Sequence, residues 1–302
     1  MQNGVIIYLS RERDIGLLYH SLLLLFRNFN NKYRYPVVVF HDDIQRTTLA
    51  RLFGALNQEL GFVPSIRFEV LKFEMPAHVS SDPALYNPPL SQFGMGYRHM
   101  CRLHSGELYK HPSLMQYDWY WRLDSDSFLL SEIPYDVFDR MAENGYEYAY
   151  LAEYEKEASF VAEGLWDTTK RFMADNKITP ASLIDKLKDG EWNWDMFYTN
   201  FEIAKFSFFR GKEYMSYYDC LDETGKIYYG RWGDAPIHWF GVHMFLPDSK
   251  ICCIKDITYQ HGTWVKNLGS FTSFPQQVQI PEPYKSWFLN ELNKKTISTV
   301  TT

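Results

Sequence analysis

Between residues 5 and 73 the chain changes its hydrophobic period four times, and this alternation most limits what it can fold into. Val5-Ile6-Ile7-Tyr8-Leu9 is a continuous apolar run of strand length. From Asp14 to Phe29 the apolar residues Leu17, Leu18, Leu22, Leu25 and Phe29 recur at helical spacing. Tyr35 to His41 is a second apolar strand, ending at Asp42-Asp43. A helix is expected from Thr47 to Leu60, stopped by Gly61, and a third strand from Ile66 to Phe73. Strand, helix, strand, helix, strand predicts an α/β fold: a mixed, mainly parallel sheet flanked by helices, with right-handed crossovers, in one large domain.

Residues 74–96 break that rhythm. Pro76, Pro83, Pro88, Pro89, Gly94 and Gly96 make a loop longer than a simple connector, expected to cover a ligand or shape a groove. Beyond it the pattern predicts a helix over 97–109, strands over 118–123 and 148–153, and helices over 162–175 and 181–188. A strand or bend follows over 201–209, then helices over 212–222 and 234–245, a strand over 252–257, and an ordered arm from Pro281. The expected halves are 1–130, binding a nucleotide, and 131–302, binding the acceptor and carrying the catalytic group.

Composition excludes several classes. A net charge of −6 lacks the concentrated positive field of a nucleic-acid face. Four cysteines without a CxxC pair support neither a disulfide scaffold nor a structural zinc site, and their pairing is open. The apolar stretch Leu17–Phe26 is too short and too interrupted for a spanning helix, and the strand-like run Val5–Leu9 ahead of the charged residues 11–14 is the wrong order for a signal peptide. If the chain is complete, this predicts a soluble, cytoplasmic protein. The aromatic share of 18% fits either an aromatic core or a groove in which rings stack on sugars.

The densest chemical signal is Tyr120-Trp121-Arg122-Leu123-Asp124-Ser125-Asp126. Two carboxylates one residue apart, just past a strand's carboxyl end, can converge on a hard cation such as Mn²⁺ or Mg²⁺ and leave the rest of its shell open to phosphate. Arg122 is a candidate for a phosphate contact or a salt bridge, and Arg11 or Arg13 for a phosphate or base contact. His41, Asp42 and Asp43 suit either ribose recognition or a helix cap. Glu202 stands among apolar neighbours, so its carboxylate must be paired, desolvated or used. Asp234, ahead of Ala235-Pro236, is expected to cap a helix or, with Arg231, to hold a sugar or phosphate. His261 is either a cation ligand or an ordinary polar group.

Six ordered motifs then carry a resemblance: RYPVVVFHDD (34–43), GYRHMCR (96–102), YDWYWRLDSDSF (117–128), TNFEIAKFSFFR (199–210), YYGRWGDAPIH (228–238) and DITYQH (256–261). Over residues 5–265 the chain resembles the fungal α-1,2-mannosyltransferases of glycosyltransferase family 15. The resemblance implies a GT-A-like fold and retaining transfer of mannose from GDP-mannose to a saccharide hydroxyl, with Mn²⁺. It places the metal on Asp124 and His261, and the diphosphate near Tyr97 and Arg122. The nucleotide sugar falls on Asp234, the suspected nucleophile on Glu202 and the amino-terminal nucleotide contact on Arg11. Where the family has Glu-Pro-x-Val, this chain has Asp124-Ser125-Asp126-Ser127, so Asp126 is expected to share the metal. Gln260 and Gly262 also depart from the family's neighbours of the histidine, and the cysteine- and histidine-bearing stretch before Thr199 is missing. These departures leave open another UDP- or GDP-sugar hexosyltransferase, and an inactive carbohydrate-binding protein. A metal-dependent phosphohydrolase would need a second ligand set that the sequence lacks. Glu202 has two possible roles, attack on the anomeric carbon or stabilisation of positive charge there. The resemblance also implies the Golgi lumen as an alternative compartment.

Overall fold

In the computed structural model, residues 1–154, 157–262, 264–267 and 270–273 are described. The expected arm from Pro281 lies outside them. The strands are β1 (Gly4–Ser10), β2 (Val37–His41), β3 (Ile66–Val70), β4 (Trp119–Leu123), β5 (Ser127–Leu129), β6 (Tyr148–Tyr150), β7 (Glu153–Tyr154), β8 (Met196–Phe197), β9 (Phe201–Lys205), β10 (Ile251–Cys253), β11 (Tyr259–His261), β12 (Trp264–Asn267) and β13 (Ser270–Ser273). The chain divides into two compact units, one of residues 1–6, 71–122 and 135–254, the other of 7–70, 123–134 and 255–302. The segments 1–130 and 131–302 each contribute to both.

In the first unit the strands run in the order β10-β6-β9-β4. β10 pairs with β6 in parallel, and β9 pairs with β6 antiparallel, which makes the sheet mixed. The aromatic residues build its core. The buried Tyr109 ring packs against Tyr120, Phe206, Phe209, Tyr214 and His238. Each such ring removes a large apolar area from water for few frozen torsions.

The long loop belongs to this unit and is tied down by one side chain. Arg98, in the helix Met95–Ser105, is fully buried and gives its guanidinium to backbone carbonyls. It donates to Phe93 O at 3.1 Å, to Pro88 O at 2.5 Å and to Tyr228 O. A buried cation spread over three carbonyls keeps its hydrogen bonds without a carboxylate.

The helix expected over 181–188 shrinks to one turn, Leu183–Lys186. The N–H groups of Ala181 and Ser182 bond to Met244 O and His243 O, and Ser182 Oγ to Leu246 O, so this backbone serves the end of the helix Asp234–Phe245. Tertiary partners have displaced local propensity.

In the second unit β1, β2 and β3 are neighbours, and β2 and β3 pair in parallel from Val37↔Ile66 to His41↔Val70. Every residue of β2 is buried, as its unbroken apolar run predicts. The helix Arg46–Leu60 ends as expected at Gly61, whose φ of 72° is the left-handed conformation glycine adopts without strain. An antiparallel sheet in the order β13-β12-β11-β5, not anticipated from periodicity, completes the unit. All four cysteines are free thiols. Among the described residues no helix is long and apolar enough to cross a membrane.

Candidate functional site

The second unit holds the acidic turn. β4 ends at Leu123 and β5 begins at Ser127, so Asp124-Ser125-Asp126 is the reversal between them. The serines pin it. Ser127 N–H donates to Asp124 O at 3.0 Å, Asp124 N–H donates to Ser127 Oγ at 3.0 Å, and Ser125 Oγ donates to Leu9 O at 3.1 Å. Ser127 Oγ also lies 2.6 Å from the Tyr259 hydroxyl of β11. These bonds pin the backbone of a turn whose two carboxylates are each about one-third exposed.

Strand pairing brings in the third candidate. β11 runs antiparallel to β5 in the register His261↔Ser127 and Gln260↔Phe128, so His261 emerges one residue from Asp126. Its Nε2 lies 3.1 Å from Asp126 Oδ1 and 3.9 Å from Asp124 Oδ2. Burial raises the Asp126 pKa, but the hydrogen bond and charge of His261 outweigh it and hold the carboxyl below its usual range. As they stand, no three His, Cys, Asp or Glu groups among the described residues are placed to hold a metal ion together. The set is open: the side chains of His261, Asp124 and Asp126 are 24%, 36% and 34% exposed. Carboxylate and imidazole are donor types that Mn²⁺ accepts.

The other candidates of this unit are engaged locally. Arg11 donates from Nε to Asp14 Oδ2 at 3.0 Å and is half exposed. Asp43 Oδ1 accepts from the Glu12 N–H at 2.9 Å, and Glu12 in turn accepts from Gln45 N and Thr48 Oγ1. Asp43 therefore does not cap the helix that follows it, whose N-cap is Gln45. His41 is buried, its pKa lowered mainly by burial, and its Nδ1 has no hydrogen-bond partner among the described residues.

The first unit gathers the remaining candidates into two polar clusters. In one, Arg122 of β4 and Asp234 form a buried ion pair, with Nη1 2.5 Å from Oδ2 and side-chain exposures of 3% and 7%. Thr199 Oγ1 donates to the same oxygen at 2.9 Å. Burial raises the Asp234 pKa, but the adjacent Arg122 charge overrides it and holds the carboxyl far below its usual range. The cap expected of Asp234 is corrected here. Gly233 is the N-cap of the helix Asp234–Phe245, and Asp234 turns inward because a buried guanidinium needs its charge. Arg122 accordingly takes the salt-bridge alternative.

Beside this pair Arg231 adopts a left-handed φ of 61°, rare for a side chain of its size. Its guanidinium lies 4.3 Å from the Phe93 ring centre and 5.0 Å from that of Tyr97, and Nη1 donates to Glu157 Oε2 at 3.1 Å. Its buried Nε–H has no hydrogen-bond partner among the described residues. Tyr97 remains 39% exposed.

The other cluster surrounds Glu202, which is 1% exposed. Tyr120 donates to Oε1 at 3.0 Å, Tyr148 donates to Oε2 at 3.0 Å, and His238 Nδ1 lies 2.9 Å from Oε2. The carboxylate expected to be paired, desolvated or used is both paired and desolvated. Tyr120, Tyr148, Thr199, His238, Ser125 and Ser127 were not singled out in advance. For all but Tyr148 the available signal was that the residue lies inside a quoted motif; nothing local pointed to Tyr148.

A model of the family described as Glycolipid 2-alpha-mannosyltransferase matches residues 1–268. The chain is 32% identical over 306 residues to Probable mannosyltransferase KTR3 of Saccharomyces cerevisiae, covering 92% of this chain and 70% of that protein. It is 34% identical over 277 residues to Alpha-1,2 mannosyltransferase KTR1 of the same yeast, covering 86% and 68%. Among solved structures it is similar to core-mannan synthase A (CmsA/Ktr4) of Aspergillus fumigatus in its Mn/GDP form, at TM-score 0.81 and 25% identity, covering 94% of this chain and 82% of that one. The mannosyltransferase Ktr4p of S. cerevisiae in complex with GDP aligns at TM-score 0.78 and 26% identity, covering 88% and 72%.

Proposed function

Since the chain belongs to the glycolipid 2-alpha-mannosyltransferase family, we propose that it is a retaining, metal-dependent α-1,2-mannosyltransferase. It moves mannose from GDP-mannose to a saccharide hydroxyl of a glycan. The observation that carries this reading is the meeting of His261 with Asp126 and Asp124 at a turn whose carboxylates are part exposed. A cation ligated there is what a departing nucleoside diphosphate needs, and a relative of the same fold was solved in an Mn/GDP form.

Asp124, Asp126 and His261 would hold Mn²⁺, which when bound supplies Lewis-acid stabilisation of the diphosphate leaving group. In the first unit Arg231 and the part-exposed Tyr97 are the residues for donor oxygens, and in the second unit Arg11 is the residue for the nucleotide. Arg122 does not take a phosphate directly in this reading. It fixes the Asp234 carboxylate, and Asp234 meets the sugar hydroxyls of the donor. Of the two roles open to Glu202, the stabilising one agrees with a carboxylate that already accepts from two tyrosines and faces a histidine. The lumen of the Golgi is the compartment that suits glycan extension by this family.

The test is calorimetry of the full chain with GDP, UDP and GDP-mannose, with and without Mn²⁺, followed by NMR analysis of the disaccharide made from GDP-mannose and methyl α-mannoside. GDP binding that requires Mn²⁺, with an α-1,2 product, is expected. Preference for UDP, or GDP binding indifferent to Mn²⁺, refutes the assignment.

A further inference from the structure

Among the described residues five non-glycine residues adopt a left-handed φ, and four of them have ordinary settings. Arg34, Lys177 and Arg231 stand at helix ends, and Asp189 shares a two-residue turn with Gly190 between the bridged Lys188 and Glu191. The fifth, Trp194 with a φ of 66°, lies at neither a helix end nor a turn. So bulky a residue is strained there, persists only where its surroundings over-determine it, and marks the kind of place where ligands bind. Two hydrogen bonds hold the segment. Glu157 N–H donates to Trp194 O at 2.8 Å, and Trp192 Nε1–H donates to Asp195 O at 2.9 Å. The indole leans on the buried Trp192, with ring centres 4.8 Å apart, and stays half-buried.

Glu157 joins this strained residue to the donor residues of the same unit. Its Oε2 accepts from Arg231 Nη1 at 3.1 Å. Three residues on, Phe160 is 53% exposed. Most aromatic side chains of this chain are packed inside, and Phe160 and Tyr97 are the two described aromatic residues more than a third exposed. The Tyr97 ring centre lies 5.0 Å from the Arg231 guanidinium. One ion pair is thus bracketed by Tyr97 on its cationic side and by Trp194 and Phe160 on its anionic side. Both flanking segments lead to Asp234. Arg231 is three residues before it, and Thr199, five residues after Trp194, donates to its carboxylate at 2.9 Å.

We propose that Glu157, Phe160 and Trp194 form the subsite for the acceptor saccharide. A pyranose has an apolar C–H face and a hydroxylated rim, so it suits accessible rings beside a fixed carboxylate. Trp194 and Phe160 present the rings, and Glu157 accepts from the sugar hydroxyls. An anionic ligand is disfavoured, because the carboxylate already neutralises the cation that would draw it. The strain at Trp194 is present in the free protein, so its ring needs little ordering when a saccharide arrives. Calling that saccharide the acceptor rests on the transferase reading above; the binding site itself does not.

The test pairs kinetics with binding, on the full chain. Trp194→Gly suits the left-handed backbone and removes only the indole. It is expected to raise the KM for methyl α-mannoside at least about tenfold and to leave the KM for GDP-mannose within about twofold, with Trp194→Tyr recovering most of the loss. Phe160→Ala, at an exposed position, is expected to raise the mannoside KM at least about threefold. A mannoside KM within about twofold of wild type in both Trp194→Gly and Phe160→Ala overturns the subsite, as does a donor KM that rises in step with it. Binding is read by ¹⁵N NMR of the tryptophan-labelled wild type, titrated with methyl α-mannoside in the presence of GDP and Mn²⁺. The Trp194 indole signal, identified by its absence from Trp194→Tyr, is expected to shift; an unmoved signal overturns the proposal. The titration and Phe160→Ala decide even where Trp194→Gly fails to fold. Absence of any turnover with GDP-mannose would refute the transferase reading and leave the titration to decide the saccharide site.

Discussion

Replacing Asp234 by Asn removes one charge from the centre of the first unit and almost no volume. The Arg122 guanidinium, on a strand and 3% exposed, would keep its position and lose the carboxylate 2.5 Å away. Breaking a buried ion pair from one side costs about 3–5 kcal/mol, against less than about 1 kcal/mol for an exposed pair. A unit of this size loses about 2–4 °C of its unfolding midpoint per kcal/mol, so a fall of roughly 6–20 °C is expected. The assay is urea and thermal unfolding followed by circular dichroism and calorimetry. Its pH dependence has a definite sign. Arg122 outweighs burial and depresses the folded-state pKa of Asp234, so the stabilisation is complete above the unfolded value near 4 and drains away as pH falls. The gap between wild type and Asp234→Asn should be full at about pH 7 and shrink toward about pH 3. Arg122→Met combined with Asp234→Leu should be less destabilised than either single change, because no orphan charge remains. A gap below about 1 kcal/mol at neutral pH, or one that widens on acidification, refutes the ion-pair argument.

Three further outcomes follow from the same geometry. Asp126→Ala should weaken the Mn²⁺-dependent part of GDP binding by at least about tenfold in calorimetry while leaving the Mn²⁺-independent part alone. Arg231→Lys cannot spread over both Phe93 and Tyr97, and should weaken GDP binding by about tenfold, or about 1.4 kcal/mol; an affinity within twofold of wild type would remove Arg231 from the donor site. A Cβ on Gly106 would fall 2.4 Å from the Tyr218 ring, which is held in turn by a hydrogen bond from its hydroxyl to Glu107, so Gly106→Ala should destabilise by about 1–3 kcal/mol in urea unfolding.

The strands and helices of the first seventy residues were legible because each rests on a short-range preference. The unbroken apolar run of β2 buries on both faces, and Gly61 ends its helix through its own backbone freedom. The helix expected over 181–188 was not legible, because its first N–H groups bond to carbonyls sixty residues onward. Asp234 shows the same limit. Its place before Ala235-Pro236 reads as a cap, and nothing local reveals the guanidinium that claims it.

What the sequence alone determined is the inventory and the family: the alternating elements, Asp124-Ser125-Asp126, the isolated Glu202, and six motifs in an order matched by the family over residues 1–268. Only the tertiary structure decided the partnerships: His261 brought to Asp126 by the register of β11 on β5, Arg122 closed on Asp234, and Glu202 enclosed by Tyr120, Tyr148 and His238. The physical reason is range. Backbone preferences act over a few residues and leave a periodic trace, whereas charge pairing and burial act through space between segments far apart in the chain.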